Sequence, residues 1–200
     1  EHLMSLRAIP NFNLMRPADG NETAACWKVA LESKETPSLL ALTRQALPTI
    51  TPSIVDGDHP AIKGAYVLSD PPNALTPQHR NTATPDAILL ATGSEVHLCL
   101  EAQAILAQEG IGVRVVSLPS WFLFEQQPES YRDAVLPRGI PALSVEAGAT
   151  LGWSKHAQAH VGIDHFGSSA PGDVLFKAFG FTAENIAARA RTLIDAKSTL

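Results

Sequence analysis

The stretch Asp86-Ala-Ile-Leu-Leu-Ala91, Thr92-Gly-Ser-Glu95, an apolar-rich run from Val96 to Gly110, and Ile111-Gly-Val-Arg-Val-Val-Ser-Leu118 decides the fold. Ala87 to Ala91 is too short for a helix and has no polar face, the signature of a parallel strand buried on both sides. Thr92 and Glu95 stand at capping-box spacing and Gly110 stands where a helix ends, which predicts strand, helix, strand. The tight Gly93-Ser94 turn lies where a strand's carboxyl end meets a helix N-terminus, a place that can receive a phosphate.

Working outward, the same alternation recurs. Toward the N-terminus, Glu1 to Arg7 is helix-like without an N-cap, as though cut from a longer chain, and Phe12 to Met15 reads as a short strand ended by Arg16-Pro17. Asp19 and Glu22 predict another capped helix, with Ala24, Trp27, Ala30 and Leu31 as its apolar stripe. Ser38 to Leu42 reads as a second buried strand and Gly64 to Leu68 as one more short strand. From Asp70 to Pro85, four prolines among polar residues predict an inter-domain linker, so the expected units are 1–69, 70–85 and 86–200.

Toward the C-terminus, Trp121, Phe122 and Phe124 read as an aromatic loop, Ser130 to Leu136 as a helix and Ala142 to Val145 as a strand ending at Glu146. Gly148 to Ala159 is read as a helix, Val161 to Phe166 as a strand and Asp173 to Phe179 as a helix. Thr182 caps a last helix through Ile186, Ala190, Leu193 and Ile194. The fold class is therefore α/β: a mainly parallel sheet flanked by helices in the second unit, preceded by part of another α/β domain.

Composition narrows the function classes. With 45% apolar and 18% charged residues the chain has a real core, and a formal charge of −5 with scattered Lys and Arg gives no nucleic-acid footprint. No apolar run reaches a membrane span, and Cys26 and Cys99 lie apart in apolar helical patterns, as buried thiols of a cytoplasmic protein do.

Chemical candidates are few. Thr92-Gly-Ser-Glu95 lacks the three glycines of a dinucleotide fingerprint and the lysine of a phosphate loop, and Ser94 lacks the flanking glycines of a nucleophile elbow, so the turn reads as a cap. His156 and His160, at i and i+4, would share one helix face as a metal pair does, but no third ligand is apparent. Glu146 without a visible partner reads as a polar cap or interface residue rather than an acid/base group. Arg44 differs: it follows a predicted strand, with no Asp or Glu within eight positions on either side, and its guanidinium suits bidentate phosphate recognition. Its alternative is an ion pair with a distant carboxylate.

Five motifs carry a resemblance: Arg16-Pro-Ala-Asp-Gly-Asn-Glu22, Thr43-Arg44-Gln45, Ile88-Leu-Leu-Ala-Thr-Gly-Ser-Glu95, Arg114-Val-Val-Ser-Leu-Pro119, and Phe166-Gly-Ser-Ser-Ala-Pro171 leading to Phe179-Gly-Phe-Thr182. In this order they resemble transketolase nearly end to end, but only its last third: the tail of the pyrimidine-binding domain and the C-terminal domain. The resemblance implies a homodimeric, cytoplasmic enzyme that moves a two-carbon ketol unit between sugar phosphates, using thiamine diphosphate and a divalent cation, Mg or Ca. It also implies that the cofactor-holding residues and the activating glutamate lie outside this chain, which alone is expected to be inactive. Arg44 matches the family arginine that binds the sugar-phosphate group, while Thr43 and Ala46 stand where the family commonly has Ser and Asn. Rival readings are a 2-oxo acid dehydrogenase beta subunit, a deoxyxylulose-phosphate synthase, or a non-catalytic binding or dimerisation module.

Overall fold

The computed structural model describes residues 1–53, 58–71 and 84–198. Its first part holds helix α1 (His2–Arg7), strand β1 (Asn13–Met15), helix α2 (Gly20–Glu32) and strand β2 (Ser38–Leu40), with β1 and β2 paired in parallel as a two-stranded sheet. The second part follows a 3₁₀ turn at Pro60–Lys63 and contains β3 (Tyr66–Ser69), β4 (Ala87–Ala91), α3 (Val96–Gln108), β5 (Val113–Ser117), α4 (Trp121–Glu125), α5 (Glu129–Val135), β6 (Ala142–Val145), β7 (Ala159–Val161), α6 (Gly172–Ala178) and α7 (Ala183–Ser198). Its sheet, among the described residues, has the order β3-β5-β4-β6-β7, with β3 antiparallel and the remainder parallel.

The all-apolar β4 is central, and its pleat sends alternate residues to two cores. Leu89, opposite Val115 and Leu143, packs with Cys99, Ala102 and Leu106 of α3 and with Ile186 and Ala190 of α7. Ile88 and Leu90 face the other way, onto Met4, Trp121, Phe124 and Trp153. Strand β4 is thus buried on both faces, as its sequence predicts. Helix α3 stops as expected: Gly110, at φ +79°, donates to Ala107 O while Ile111 donates to Leu106 O, the two bonds of a Schellman close. At α7, the Thr182 hydroxyl caps Asn185 N–H at 3.2 Å.

Several expectations are corrected. Tyr66–Ser69, placed by sequence at the end of the first unit, hydrogen-bonds into the sheet of the second as its antiparallel edge, because its partner β5 is remote in sequence. Most of the expected linker, 72–83, lies outside the described residues. The aromatic run at Trp121 is a helix, capped by Ser120 accepting from Leu123 N–H at 3.2 Å. The apolar stripe of α2 is not its buried face: Trp27 is 52% and Leu31 78% exposed, while Glu22, Ala25 and Cys26 are buried. A polar anchor sets that rotation. Glu22 accepts from Tyr66 Oη (2.8 Å), Ser117 Oγ (2.6 Å) and Ala18 N–H (2.7 Å), turning positions i, i+3 and i+4 inward. Likewise β2 is half-buried rather than buried, with Leu42 beyond it exposed.

The helix expected over Gly148 to Ala159 reduces to a 3₁₀ turn at Trp153–Lys155, followed by β7. Two glycines break it. Gly148 accepts from Ile163 N–H across the chain, and Gly152 sits at φ +83° against the Trp121 ring. The strand expected over Val161 to Phe166 accordingly ends at Val161, and Phe166 is fully exposed.

Candidate functional site

Ligands of open α/β sheets sit outside the carboxyl ends of strands. Here that crevice, beyond β4 and β6, is filled from within the chain. Arg7 and Arg16, carried on α1 and just after β1, reach Glu95 and Glu146, which follow β4 and β6. Arg7 forms a bidentate pair with Glu146, both bonds 2.7 Å, and Trp153 Nε1 adds a third at 2.9 Å. Arg16 pairs with Glu95, lies 3.6 Å from Glu146, and donates to Thr92 O at 3.0 Å. All four side chains are at least 88% buried. Burial alone would raise the Glu146 carboxyl, but the hydrogen bonds and charge of Arg7, with the charge of Arg16, outweigh it and hold it below the usual range.

The glycine turn is shaped by this arrangement rather than by a cap. Thr92 makes no side-chain cap, and its Oγ1 donates instead to Arg16 O at 3.0 Å. Glu95 does not reach back to Thr92: it accepts from Arg16, from Ser94 Oγ and from Ala147 N–H. The first turn, Gly93–Glu95, is 3₁₀, with Thr92 at its N-cap position, and α3 proper begins at Val96. Gly93 is required here, since its φ is +65° and an added Cβ would lie 2.8 Å from the Arg16 guanidinium carbon. Ser94 Oγ donates to the Glu95 carboxylate, whose other oxygen is held by Arg16 and Ala147 N–H.

Beside this plug lies a cleft of about 350 Å³, lined among others by Arg16, Thr43, Arg44, Gln45, Gly93 and Ser94, with no carboxylate among its described lining residues. Strand β2 delivers Arg44 to it, and Ala41 N–H still donates to Met15 O at 2.8 Å. Arg44 is exposed and forms no ion pair with a described residue. Thr43 Oγ1 accepts from Gln45 N–H at 3.2 Å, closing the turn locally. Arg16 is neutralised by Glu95, so the cleft's remaining positive charge is that of Arg44.

The two histidines do not form a pair. With no helix over 148–159, His156 packs edge-on to Trp121 at 4.9 Å between centroids, while His160 Nδ1 lies 2.8 Å from Ser144 Oγ. No group of three His, Cys, Asp or Glu able to hold a metal ion occurs among the described residues. Both cysteines are buried free thiols whose pKa is raised by burial. Burial also pushes His156 down to about 4, with Glu125 Oε1 at 3.6 Å too far to offset it. The folded pKa is depressed, so stability is complete above the unfolded value of about 6.5 and falls as pH drops toward 4, by about 3 kcal/mol in total. Denaturation of the chain and of His156→Phe between pH 7 and 4.5 checks this: the wild type should lose stability that the variant retains. Parallel curves would refute it.

Arg7, Arg16 and Glu95 were not legible as a site. Their spacing in sequence carries no signal, since the pairs span 139 and 79 positions.

Known proteins bear on this geometry. Residues 64–182 match the model of the transketolase-like C-terminal domain, and residues 1–49 that of the transketolase pyrimidine-binding domain. The chain is 48% identical to the transketolase of Geobacillus stearothermophilus over 198 residues, covering 97% of this chain and 28% of that protein. It is 48% identical to transketolase 1 of Saccharomyces cerevisiae over 194 residues, covering 97% and 26%. A crystal structure of a Pichia stipitis transketolase in complex with sedoheptulose-7-phosphate superposes with a TM-score of 0.87 at 42% identity, over 98% of this chain and 27% of that one. The chain therefore spans little more than a quarter of the length of these relatives, and across that span it belongs to the transketolase family.

Proposed function

We propose that this chain is the C-terminal portion of a transketolase that transfers a two-carbon ketol unit from a ketose phosphate to an aldose phosphate. In this reading it works as part of a cytoplasmic homodimer, with Arg44 binding the sugar-phosphate group. The observation that carries the assignment of Arg44 is its exposed, unneutralised guanidinium in a carboxylate-free cleft at the end of β2. The relatives being transketolases throughout, the dehydrogenase and synthase readings and the stand-alone module are not favoured.

Thiamine diphosphate, with its divalent cation, supplies the nucleophilic carbon in such enzymes. The described residues do not fit either group. The glycine turn that could receive a diphosphate holds the Arg16 guanidinium, and the nearby carboxylates Glu95 and Glu146 face arginines. Cofactor binding accordingly falls to parts of the polypeptide outside this span, and the chain alone is inactive. The unit boundary falls between the two sheets, with β3, which pairs with β5, assigned to the C-terminal domain.

Arg44→Ala in the complete enzyme tests the reading. Loss of a charge-assisted contact predicts a fall of about 10- to 100-fold in kcat/KM for a phosphorylated ketose, and a markedly smaller one for the same ketose without phosphate. Equal losses would argue against a phosphate role.

A further inference from the structure

The loop that carries Arg44 spans 42–49 and is tied at both ends to one short run, Met15 to Asp19. At its start, Ala41 N–H donates to Met15 O at 2.8 Å. At its end stands the carboxylate of Asp19, which is 5% exposed. Oδ2 accepts from Ile50 N–H and Thr51 N–H, both at 2.8 Å, and Oδ1 accepts from Thr51 Oγ1 at 2.7 Å and from Glu22 N–H at 3.0 Å. Asn21 Nδ2, in the first turn of α2, adds a bond to Thr51 O at 3.1 Å.

Only one of the four bonds to Asp19 is needed to cap α2, and serine caps a helix about as well. The other three all go to residues 50 and 51. They use the acceptor capacity that distinguishes a carboxylate from a hydroxyl. Burial would raise the Asp19 carboxyl, yet the bonds it accepts hold it below the usual range, so the anchor is ionised at neutral pH. Arg16, inside the same run, is locked to Glu95, which keeps the anchor still relative to the cleft wall formed by Gly93 and Ser94. Between the two ties, Thr43, Arg44, Gln45 and Ala46 are exposed, and the guanidinium depends on the loop ends for its place.

From this geometry we infer that Asp19 is a positioning residue for sugar-phosphate binding, acting through Arg44 by clamping the end of its loop. The inference rests on the phosphate reading of Arg44. The informative variant is Asp19→Ser, which keeps the helix cap and removes the clamp. In the complete, cofactor-loaded enzyme, KM for a phosphorylated ketose should rise about tenfold, well inside the hundredfold that a misplacement of about 1 Å can cost. The kcat, and kcat/KM for the unphosphorylated ketose, should stay within about twofold. Added to Arg44→Ala, Asp19→Ser should change KM no further, since both act on one contact. Should Asp19→Ser fail to fold, Thr51→Val, which drops only the Oγ1 bond, should raise the same KM about threefold with no change for the unphosphorylated substrate. Equal effects on both substrates, additive effects in the double variant, or no effect would overturn the inference. If Arg44→Ala itself shows no phosphate selectivity, the reading beneath it fails instead, and Asp19 is left as a cap.

Discussion

Glu146→Ala is expected to destabilise the chain by about 3–5 kcal/mol, the cost of leaving a buried charge unpaired. The side chain is 1% exposed and holds both terminal nitrogens of Arg7, whose own side chain is 6% exposed, together with Trp153 Nε1. Removing the carboxylate strands a cation between two tryptophan rings, 4.4 Å from the Trp121 centroid and 5.6 Å from that of Trp153. Stacking there is worth about 0.5–2 kcal/mol and does not compensate. Native stabilities are about 5–15 kcal/mol, so the loss is a large part of the whole. Chemical denaturation measures it, and a loss below about 1 kcal/mol would mean that Arg7 reaches water. Arg7→Met combined with Glu146→Leu should recover most of the loss, because matched apolar replacement of a buried pair is often close to neutral.

Gly64→Ala is expected to be of comparable size, about 3–5 kcal/mol from overpacking and backbone strain together. Gly64 closes the 3₁₀ turn at φ +86°, and an added Cβ would stand 2.2 Å from Phe124 N and 2.5 Å from Ser120 O. Those atoms belong to the backbone of α4 and its cap, which cannot rotate away as a flexible side chain could. Gly64 O also accepts from Ser120 N–H at 3.0 Å, so relief of the clash breaks the tie between β3 and α4. A denaturant midpoint close to that of the parent would refute this. By contrast, Gly139→Ala meets no atom within 4 Å and costs only the strain of its φ of +80°, which makes it the matched control.

Gly64 acts within the second part, where the 3₁₀ turn meets α4, whereas Glu146 acts on a seam, the contact between the N-terminal segment and the second sheet. That seam is the part of the molecule local sequence patterns did not predict. Thr92 and Glu95 have the spacing of a capping box, and the structure spends Glu95 on Arg16 instead. The spacing of Ala24, Trp27, Ala30 and Leu31 pointed to a buried stripe, and Glu22 turned the opposite face inward. In both cases a buried carboxylate found a stronger partner far along the chain, and a burial-driven polar contact outranks a local preference worth a fraction of it. The helix expected over Gly148 to Ala159, which would have aligned His156 and His160, is missing for a related reason: two glycines have tertiary commitments.

The placement of Arg44 beside the cleft was legible, whatever its role there. Its place follows from strand polarity alone, because a residue just past the carboxyl end of a strand faces the crevice whatever the side chains behind it do. What made the crevice positive was not legible. It depends on Arg16 being neutralised by Glu95 and on the cleft lining having no acid, facts of three-dimensional assembly.

By itself, the sequence determined the α/β class, the two-sided burial of Ala87–Ala91, the close of α3 at Gly110, the cap at Thr182 and the position of Arg44. Each is set by interactions among residues a few positions apart or by the parity of a strand, which periodicity records directly. Only the tertiary structure decided that β3 belongs to the second sheet, that Arg7 and Arg16 fill the carboxyl-end crevice, and that Asp19 grips the end of the Arg44 loop. Those contacts join residues tens to more than a hundred positions apart, and the free energy that selects them is that of burying charges with their partners, a quantity no local window contains.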